Sequence, residues 1–481
     1  MADSRKVIPI EAVSSDDGGL FSLYESHQKI YPRTVKGRFA SLRWLAVFFT
    51  QLLFYGLPWL SWNGRQAVLF DLAARKFYLF GLVLWPQDFI YLAALLVIAA
   101  LSLFFFTAVA GRLWCGYACP QTVYTEIFMW VERRFEGDRA AQMKLDAAPW
   151  SAAKLVRKAG KHASWALIAL FTGFTFIGYF TPIRELAGQI LTLQLSGWGL
   201  FWWLFYSFAT WGNAGFMREQ VCKYMCPYAR FQGAMFDKDT LIVTYDAQRG
   251  EPRGSRGRKV IPSEAGLGSC IDCGLCVDVC PTGIDIRKGQ QYECIGCAAC
   301  IDVCDTVMDK MNYPRGLVRY ATDRAISEPS TAGSVLSHVL RPRTIIYGAL
   351  LLGLIGALLG SLTLRNPLKV DVIRDRNALA RIVEAGDIEN TYRLHFMNST
   401  ERALTLRVEV EGIEGIRIEG PSSYEVEPAS NRAVPVNVRI SPDNSQAGSH
   451  PIRFIVRPEG GETHLVGVKR RDEPSTFIVP R

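Results

Sequence analysis

Two stretches of this chain, Phe89 to Ala110 and Thr344 to Leu364, carry no charged residue at all. Each is close to the roughly 20 apolar residues that cross about 30 Å of hydrocarbon as a helix. Three further runs, 42–60, 163–181 and 196–216, read the same way, although the first has Pro58 near its end and the last holds Asn213 and Gly215. The expectation is a five-helix transmembrane bundle. Composition along the 481 residues then separates other regions from it. Ten of the twelve Cys fall in 217–343, and 369–481 has none. The net charge of +9 could point to nucleic acid, but its placement beside apolar runs fits membrane topology better and no nucleic acid is expected.

Lys and Arg set the expected orientation. Seven lie in 1–43 and nine in 111–162, against three in 61–87 and one in 182–195. Positive charge collects on the cytoplasmic side. The reading is a multi-pass protein of a bacterial inner membrane, with no signal peptide, the N-terminus and 217–343 in the cytoplasm and the tail in the periplasm. The expected organisation is a cytoplasmic segment 1–41, a duplicated four-helix membrane domain 42–226, a cytoplasmic linker 227–268, a cysteine-rich domain 269–343, a fifth span 344–364 and a tail 365–481. Within the linker, the basic, Gly- and Pro-containing run 249–268 reads as mobile.

The first four spans repeat. Each pair is joined by an apolar connection too short to span (Phe77 to Trp85, Leu186 to Leu195) and ends in a Cys-x-x-x-Cys-Pro run. Cys115, Cys119 and Pro120 match Cys222, Cys226 and Pro227 at a constant offset of 107. Two copies with the same sidedness imply a pseudo-two-fold axis along the membrane normal, which would bring the two Cys pairs together. On a continuous helix the i, i+4 spacing would turn both thiols of a pair the same way, with the proline bending the chain. Four soft sulfurs could hold copper(I), with Met225 as an added thioether, could hold a third cluster, or could cycle between dithiol and disulfide. Small buried packing cysteines are the bland alternative. Arg112, Arg218 and Lys223 would lower a nearby thiol pKa but read first as part of the positive-inside belt. His162 reads as an interfacial side chain rather than a ligand.

The cysteine-rich domain carries Cys270-x-x-Cys273-x-x-Cys276-x-x-x-Cys280-Pro281, then Cys294-x-x-Cys297-x-x-Cys300-x-x-x-Cys304. This is the double ferredoxin pattern. In such domains three thiolates of each [4Fe–4S] cube come from one tight loop and the fourth crosses over from the partner run. One cube would take Cys270, Cys273, Cys276 and Cys304, the other Cys294, Cys297, Cys300 and Cys280. Gly274 and Gly296 suit tight loops; Asp305 stands where a proline would follow Cys304. Disulfides do not suit a reducing cytoplasm, and zinc rarely shows two such runs in tandem.

In the tail, Tyr392–Phe396, Leu404–Val410, Ala433–Ile440 and Ile452–Val456 alternate apolar and polar, separated by turn residues at 421–422, 442–444 and 458–461. That predicts an antiparallel sandwich of about seven strands, immunoglobulin-like in size. The fold class is thus multidomain, α plus α/β plus β. In the fifth span Gly356-x-x-x-Gly360 could pack a second helix closely, as in a homodimer, or could equally be a lipid-facing glycine pair.

Taken together, the paired motifs on duplicated halves, the dicluster ferredoxin and the immunoglobulin-like tail, with Asn390-Thr-Tyr392-Arg-Leu394 opening it, resemble the cytochrome c oxidase accessory proteins of the CcoG (FixG/RdxA) family. The resemblance implies reduction of Cu(II) to Cu(I) for assembly of cbb-type haem–copper oxidase. It implies partners among copper exporters or chaperones and oxidase assembly factors, with Cys115, Cys119, Cys222 and Cys226 binding or reducing copper. The electron donor has no motif in the chain. Rival functions are a quinol-oxidising electron-transfer polyferredoxin and a non-catalytic assembly scaffold.

Overall fold

The computed structural model describes residues 29–258, 260, 266–327, 340–375, 380–383, 386–441, 446–459 and 467–480. Residues 1–28 of the expected segment 1–41 and the turn residues 442–444 and 460–461 lie outside the described residues. Helix α1 (Arg38–Gly56) is followed by short strands β1 (Ser61–Trp62) and β2 (Arg65–Gln66) and a three-stranded meander, β3 (Val68–Asp71), β4 (Lys76–Leu79) and β5 (Leu82–Leu84). Helices α2 (Phe89–Ala110), α3 (Leu113–Tyr117), α4 (Pro120–Glu136), α5 (Arg139–Ala147), α6 (Ala152–Ile177), α7 (Ile183–Leu191), α8 (Gly197–Gly212) and α9 (Pro227–Met235) complete the duplicated part. By length and composition, three helical stretches among the described residues can cross a membrane: Arg38–Trp59, Pro86–Ala110 and Pro342–Leu364. The other two expected spans fall short for different reasons. α6 spends its first turns on Lys154, Arg157, Lys158 and Lys161, and α8 has 16 residues, about 24 Å of helix.

The connection from Phe77 to Trp85, too short for a span, is used as sheet. Its apolar side chains form a platform for the tail: Val83 and Trp85 share a small buried cluster with Met397, and Trp85 Nε1 donates to Ser399 Oγ at 2.9 Å. Arg65 and Asn63 both reach Glu401, and Lys369 reaches the buried Asp88. Gln66 stitches the same region to the second half, donating to Gly178 O at 2.7 Å and accepting from Ile183 N at 2.9 Å. The connection expected at Leu186 to Leu195 is largely α7.

Strand β6 (Ile242–Tyr245) and helix α10 (Ala247–Gly250) precede the cysteine loops; α11 (Leu275–Asp278), α12 (Ala299–Met311), β7 (Val318–Ala321) and α13 (Asp323–Ser327) follow or interleave them. β6 pairs antiparallel with β7, so the ferredoxin fold begins inside the segment expected as linker. Residues 249–258 are tied down rather than loose. Gly254 N donates to Cys270 O at 3.3 Å, Arg256 Nη1 to the same carbonyl at 3.2 Å, and Arg249 Nη1 to Arg315 O at 3.0 Å. Arginine forks find the carbonyls that a tight loop leaves unpaired, which composition alone does not reveal.

The ferredoxin docks on the helices through a cap. Asp302 of α12 accepts from the backbone N–H groups of Phe39 (3.2 Å) and Ala40 (2.7 Å), in the first turn of α1, where orphan donors and the helix dipole favour a carboxylate. Helix α14 (Pro342–Leu364) then packs along α2, with Gly348 close against Phe105. Gly356 and Gly360 face nothing within 4 Å. Among the described residues the tail holds nine strands, two more than the expected seven. One sheet runs β12 (Arg417–Glu419), β14 (Asn431–Ile440), β10 (Ile388–Asn398), β8 (Leu368–Arg374), with β9 (Arg381–Ile382) on β10. The other runs β13 (Ser423–Val426), β11 (Leu404–Glu411), β15 (Gly448–Pro458), β16 (Arg471–Val479). The four expected strands lie in β10, β11, β14 and β15, and Tyr392, Leu394, Phe396 and Phe454 are fully buried between the sheets.

Candidate electron-transfer site

The two cysteine loops share one backbone trace. Asp272 (φ 50°) and Gly274 (φ 68°) in the first correspond to Gly296 (φ 68°) and Ala298 (φ 60°) in the second. Two left-handed residues flanking the second cysteine curl each loop into a concave nest of N–H groups. Cys270, Cys273, Cys276 and Cys304 line one small cavity; Cys280, Cys294, Cys297 and Cys300 line a second, with Cys276 on the wall of both. Cys280 and Cys304 therefore stand across from the loops of the opposite runs. After Cys304, Asp305 leaves α12 free to run on to Met311, and its carboxylate accepts from Gly316 N at 2.9 Å.

These donor sets fit iron–sulfur cubes. The first cavity offers four thiols and the second its own four with Cys276 shared, in largely apolar walls. Among the described residues no three His, Cys, Asp or Glu side chains gather tightly enough to chelate a single ion. Burial pushes Cys276 up to about 11 and Cys294 and Cys304 up to about 12, so an empty cavity keeps its protons and a bound cube displaces them.

At the rim of the helices the repeat is structural. Gly111 (φ 55°, ψ −117°) and Arg218 (φ 37°, ψ −109°), 107 residues apart, end their helices in the same left-handed kink. Cys115 lies in α3 and Cys222 in a π-helical turn, Val221–Met225. Cys119 and Cys226 sit in extended backbone, and Pro120 and Pro227 open α4 and α9 at their first positions. The expected continuous helix is thus broken inside each motif. Proline at the first helical position loses no hydrogen bond, so it starts a helix here instead of bending one. The two halves also trade contacts. Gln121 Nε2 donates to Asn213 O (3.0 Å) and Arg218 O (3.1 Å), while Tyr228, its counterpart, bonds Thr107 (2.6 Å) and Leu103 O (3.2 Å).

That exchange turns the two motifs toward each other, near enough for their thiols to act on one another electrostatically, although no three of them gather tightly enough to hold a single ion. Burial pushes Cys115 up to about 11 and Cys222 up to about 12; Cys119 adds to the rise in both, while Arg112 opposes it, as does the Gln232 hydrogen bond at Cys115. Cys115 Sγ donates to Gln232 Oε1 at 3.5 Å. Met225 is 56% exposed, unlike the thiols around it.

The rim and the second cavity share a wall. A Cβ on Gly116 would meet Gly296 O at 2.8 Å, so the first motif lies directly on the second cysteine loop. Arg112, only 6% exposed, donates to Cys294 O (3.0 Å), Ala229 O (2.7 Å) and Tyr292 O. Arg43 Nη1 donates to Cys297 O at 2.6 Å. A cavity of about 90 Å³ lies between, with Cys222, Cys297, Glu126, Glu219 and Arg133 on its walls. Arg112 and Arg218 are therefore not surface belt: both are buried, and Arg218 pairs with Glu132 at 2.6 Å. His162 packs among Trp165, Trp211 and Phe216. Sequence reasoning missed Gln232, Asp302 and Arg43. Only Arg43 had a signal, a charge inside an expected span.

Comparison with known proteins agrees with this anatomy. Residues 217–323 match the 4Fe-4S dicluster domain family, 92–137 a 4Fe-4S binding domain, and 358–480 the IG-like fold at the C-terminal of FixG. The chain is 38% identical over 472 residues to the nitrogen fixation protein FixG of Rhizobium meliloti, covering 91% of this chain and 88% of that one. It is 41% identical over 422 residues to protein RdxA of Cereibacter sphaeroides, covering 85% and 88%. A crystal structure of a FixG-related protein from Vibrio parahaemolyticus, 28% identical, covers 24% of this chain and 97% of its own, with a TM-score of 0.21.

Proposed function

The chain belongs to the FixG/RdxA family of iron–sulfur electron-transfer proteins, and from that premise we propose that it is a cupric reductase. One observation carries the reading: the first Cys-x-x-x-Cys-Pro motif lies directly on the loop that would hold the second cube, Gly116 against Gly296 O. Cys270, Cys273, Cys276 and Cys304 would hold one [4Fe–4S] cube and Cys294, Cys297, Cys300 and Cys280 the other, supplying electrons one at a time. A cupric ion needs one electron to become cuprous, and thiolate with thioether donors favours the cuprous state. Met225, exposed on the turn between Cys222 and Cys226, is placed to meet an incoming ion. Arg112 and Gly116 hold the first motif against the second loop, which would keep the electron's last step short.

In this proposal the protein sits in a bacterial inner membrane with its ferredoxin in the cytoplasm and its tail in the periplasm, as the Lys and Arg distribution favours. The five-helix bundle, delivery of copper through an exporter or chaperone, and assembly of a cbb-type oxidase belong to the same reading. The test is Cu(II) reduction by anaerobically purified protein in which Cys115, Cys119, Cys222 and Cys226 are all Ser. Iron and sulfide content should persist while cuprous ion production falls at least about 100-fold. Undiminished turnover would remove the thiols from the reaction. A loss of four irons with the thiols would give them a third cube instead.

A further inference from the structure

The two rim motifs and the cubes leave one large feature of the molecule unused. Between α1, α4 and α6 lies a groove of about 770 Å³, lined by Phe48, Gln51, Tyr55, Trp130, Leu167 and Phe171 among others. Its wall is almost wholly apolar, and the flanking faces of α1 and α6 expose Phe48 (67%) and Leu167 (68%), as lipid-facing side chains do. Lipid chains alone would explain an apolar wall. They do not explain its polar side chains. Gln51 Oε1 is buried without a hydrogen-bond partner. Tyr55 lines the same groove one helical turn on, its Oη 2.8 Å from Thr172 Oγ1 and 3.4 Å from Tyr124 Oη. A buried unpaired carbonyl costs about 1–3 kcal/mol, which a hydroxylated ligand would recover.

The groove also touches the electron path. Trp44 lines both this groove and the small polar cavity that reaches Cys297. Its neighbour in sequence, Arg43, bonds Cys297 O at 2.6 Å. A molecule in the groove is separated from the second cysteine loop by one indole and one guanidinium. The occupant that meets all of this is a lipid-soluble hydroxyarene able to give up electrons.

We propose that this groove binds a membrane quinol, which reduces the protein through the second loop. The proposal rests on the cubes being the electron wire and names what feeds them. Gln51 Oε1 accepts one quinol hydroxyl, and Tyr55 holds the ring oxygen. Each quinol loses two electrons and two protons and leaves as quinone. The electrons reduce the two cubes by one each, which later pass them singly to the rim. The protons exit into the polar cavity, where Glu126 and Glu219 line the way to Thr34 and the cytoplasmic face.

The experiment uses full-length protein in lipid nanodiscs under anaerobic conditions, with decylubiquinol as the probe. Reduction is read from loss of visible cluster absorbance and gain of a low-temperature electron paramagnetic resonance signal. Wild-type protein should be reduced by the quinol. Gln51→Leu should slow that reduction by about ten-fold, and so should Ile127→Trp, which fills the groove. Dithionite should reduce all three proteins equally, which shows intact cubes, and dithionite-reduced Gln51→Leu should still convert Cu(II) to Cu(I) at the wild-type rate. No reduction of wild-type protein by quinol, or equal rates in all three, overturns the proposal and leaves the groove to lipid. Quinol reduction without any Cu(II) turnover would keep this proposal and discard copper as the acceptor.

Discussion

The two cysteine loops have the same curl but sit in opposite surroundings. In the first, Cys273 is exposed and its neighbour Asp272 pairs with Arg287 in a partly solvated cluster. In the second, no cysteine is exposed, the first rim motif packs on the loop at Gly116, and two buried arginines bond the backbone of the loop itself. Identical ligand geometry therefore does not make identical centres. Charge and solvent around a cube set its potential as much as its ligands do. A buried cation favours the reduced, more negative state, so the second cube should be the better electron acceptor, and electrons should rest beside the rim thiols.

Removing the asymmetry at its strongest point should have the largest effect. Arg112→Gln takes a buried charge from between the second loop and the thiols and leaves up to three carbonyls short of a donor. A redox titration followed by electron paramagnetic resonance should show the second cube's midpoint falling toward or below the first. Apparent stability should drop by about 3 kcal/mol. An unchanged gap between the two midpoints would mean that the arginine is only structural.

A pair of glycines sharpens the same contrast. Gly274 and Gly296 both have φ 68°, so replacing either with Ala costs about 1–2 kcal/mol of backbone strain. At Gly274 the new Cβ meets nothing within 4 Å, whereas at Gly296 it sits 3.2 Å from Arg112 O. Gly296→Ala should therefore lower the melting temperature more than Gly274→Ala, and only Gly296→Ala should perturb Cu(II) reduction. Equal effects would show that the second loop is not held by the rim.

How much of this was visible beforehand depends on how local the signal was. The cysteine loops announce themselves, because spacing within one run is set by the cube they fit. The repeat at offset 107 was legible too, and the kinks at Gly111 and Arg218 follow it. The break within each motif was not legible, since Cys-x-x-x-Cys-Pro reads equally as a bent helix or as the start of a new one. The burial of Arg112 and the wrap of 249–258 were also hidden. In both, arginine serves carbonyls brought near by distant segments, and sequence shows the charge without the acceptor. Residues 77–85 show the reverse: an apolar run too short to span becomes sheet because the tail arrives to cover it.

The exposed loop should yield the smallest effect, and its direction follows from charge alone. The Arg287 guanidinium, bonded to Asp285 at 2.8 Å, holds that carboxyl below its ordinary value; backbone N–H donation from Arg287 adds to this, while partial burial opposes it. A carboxyl whose folded pKa is depressed stabilises the fold fully above its unfolded pKa and loses that contribution as pH falls through the lowered folded value. Asp285→Asn should remove this dependence. It should shave the acid limb of a stability–pH curve for the ferredoxin part, with a change near neutral pH of under about 1 kcal/mol because the pair is partly solvated. At the second loop Arg43 and Arg112 bond carbonyls, which do not ionise, and the Glu126–Arg133 pair stands across the adjoining cavity rather than on the loop. Acid should therefore loosen the first centre before the second. Signals from the two cubes that fade together on acidification would erase the distinction.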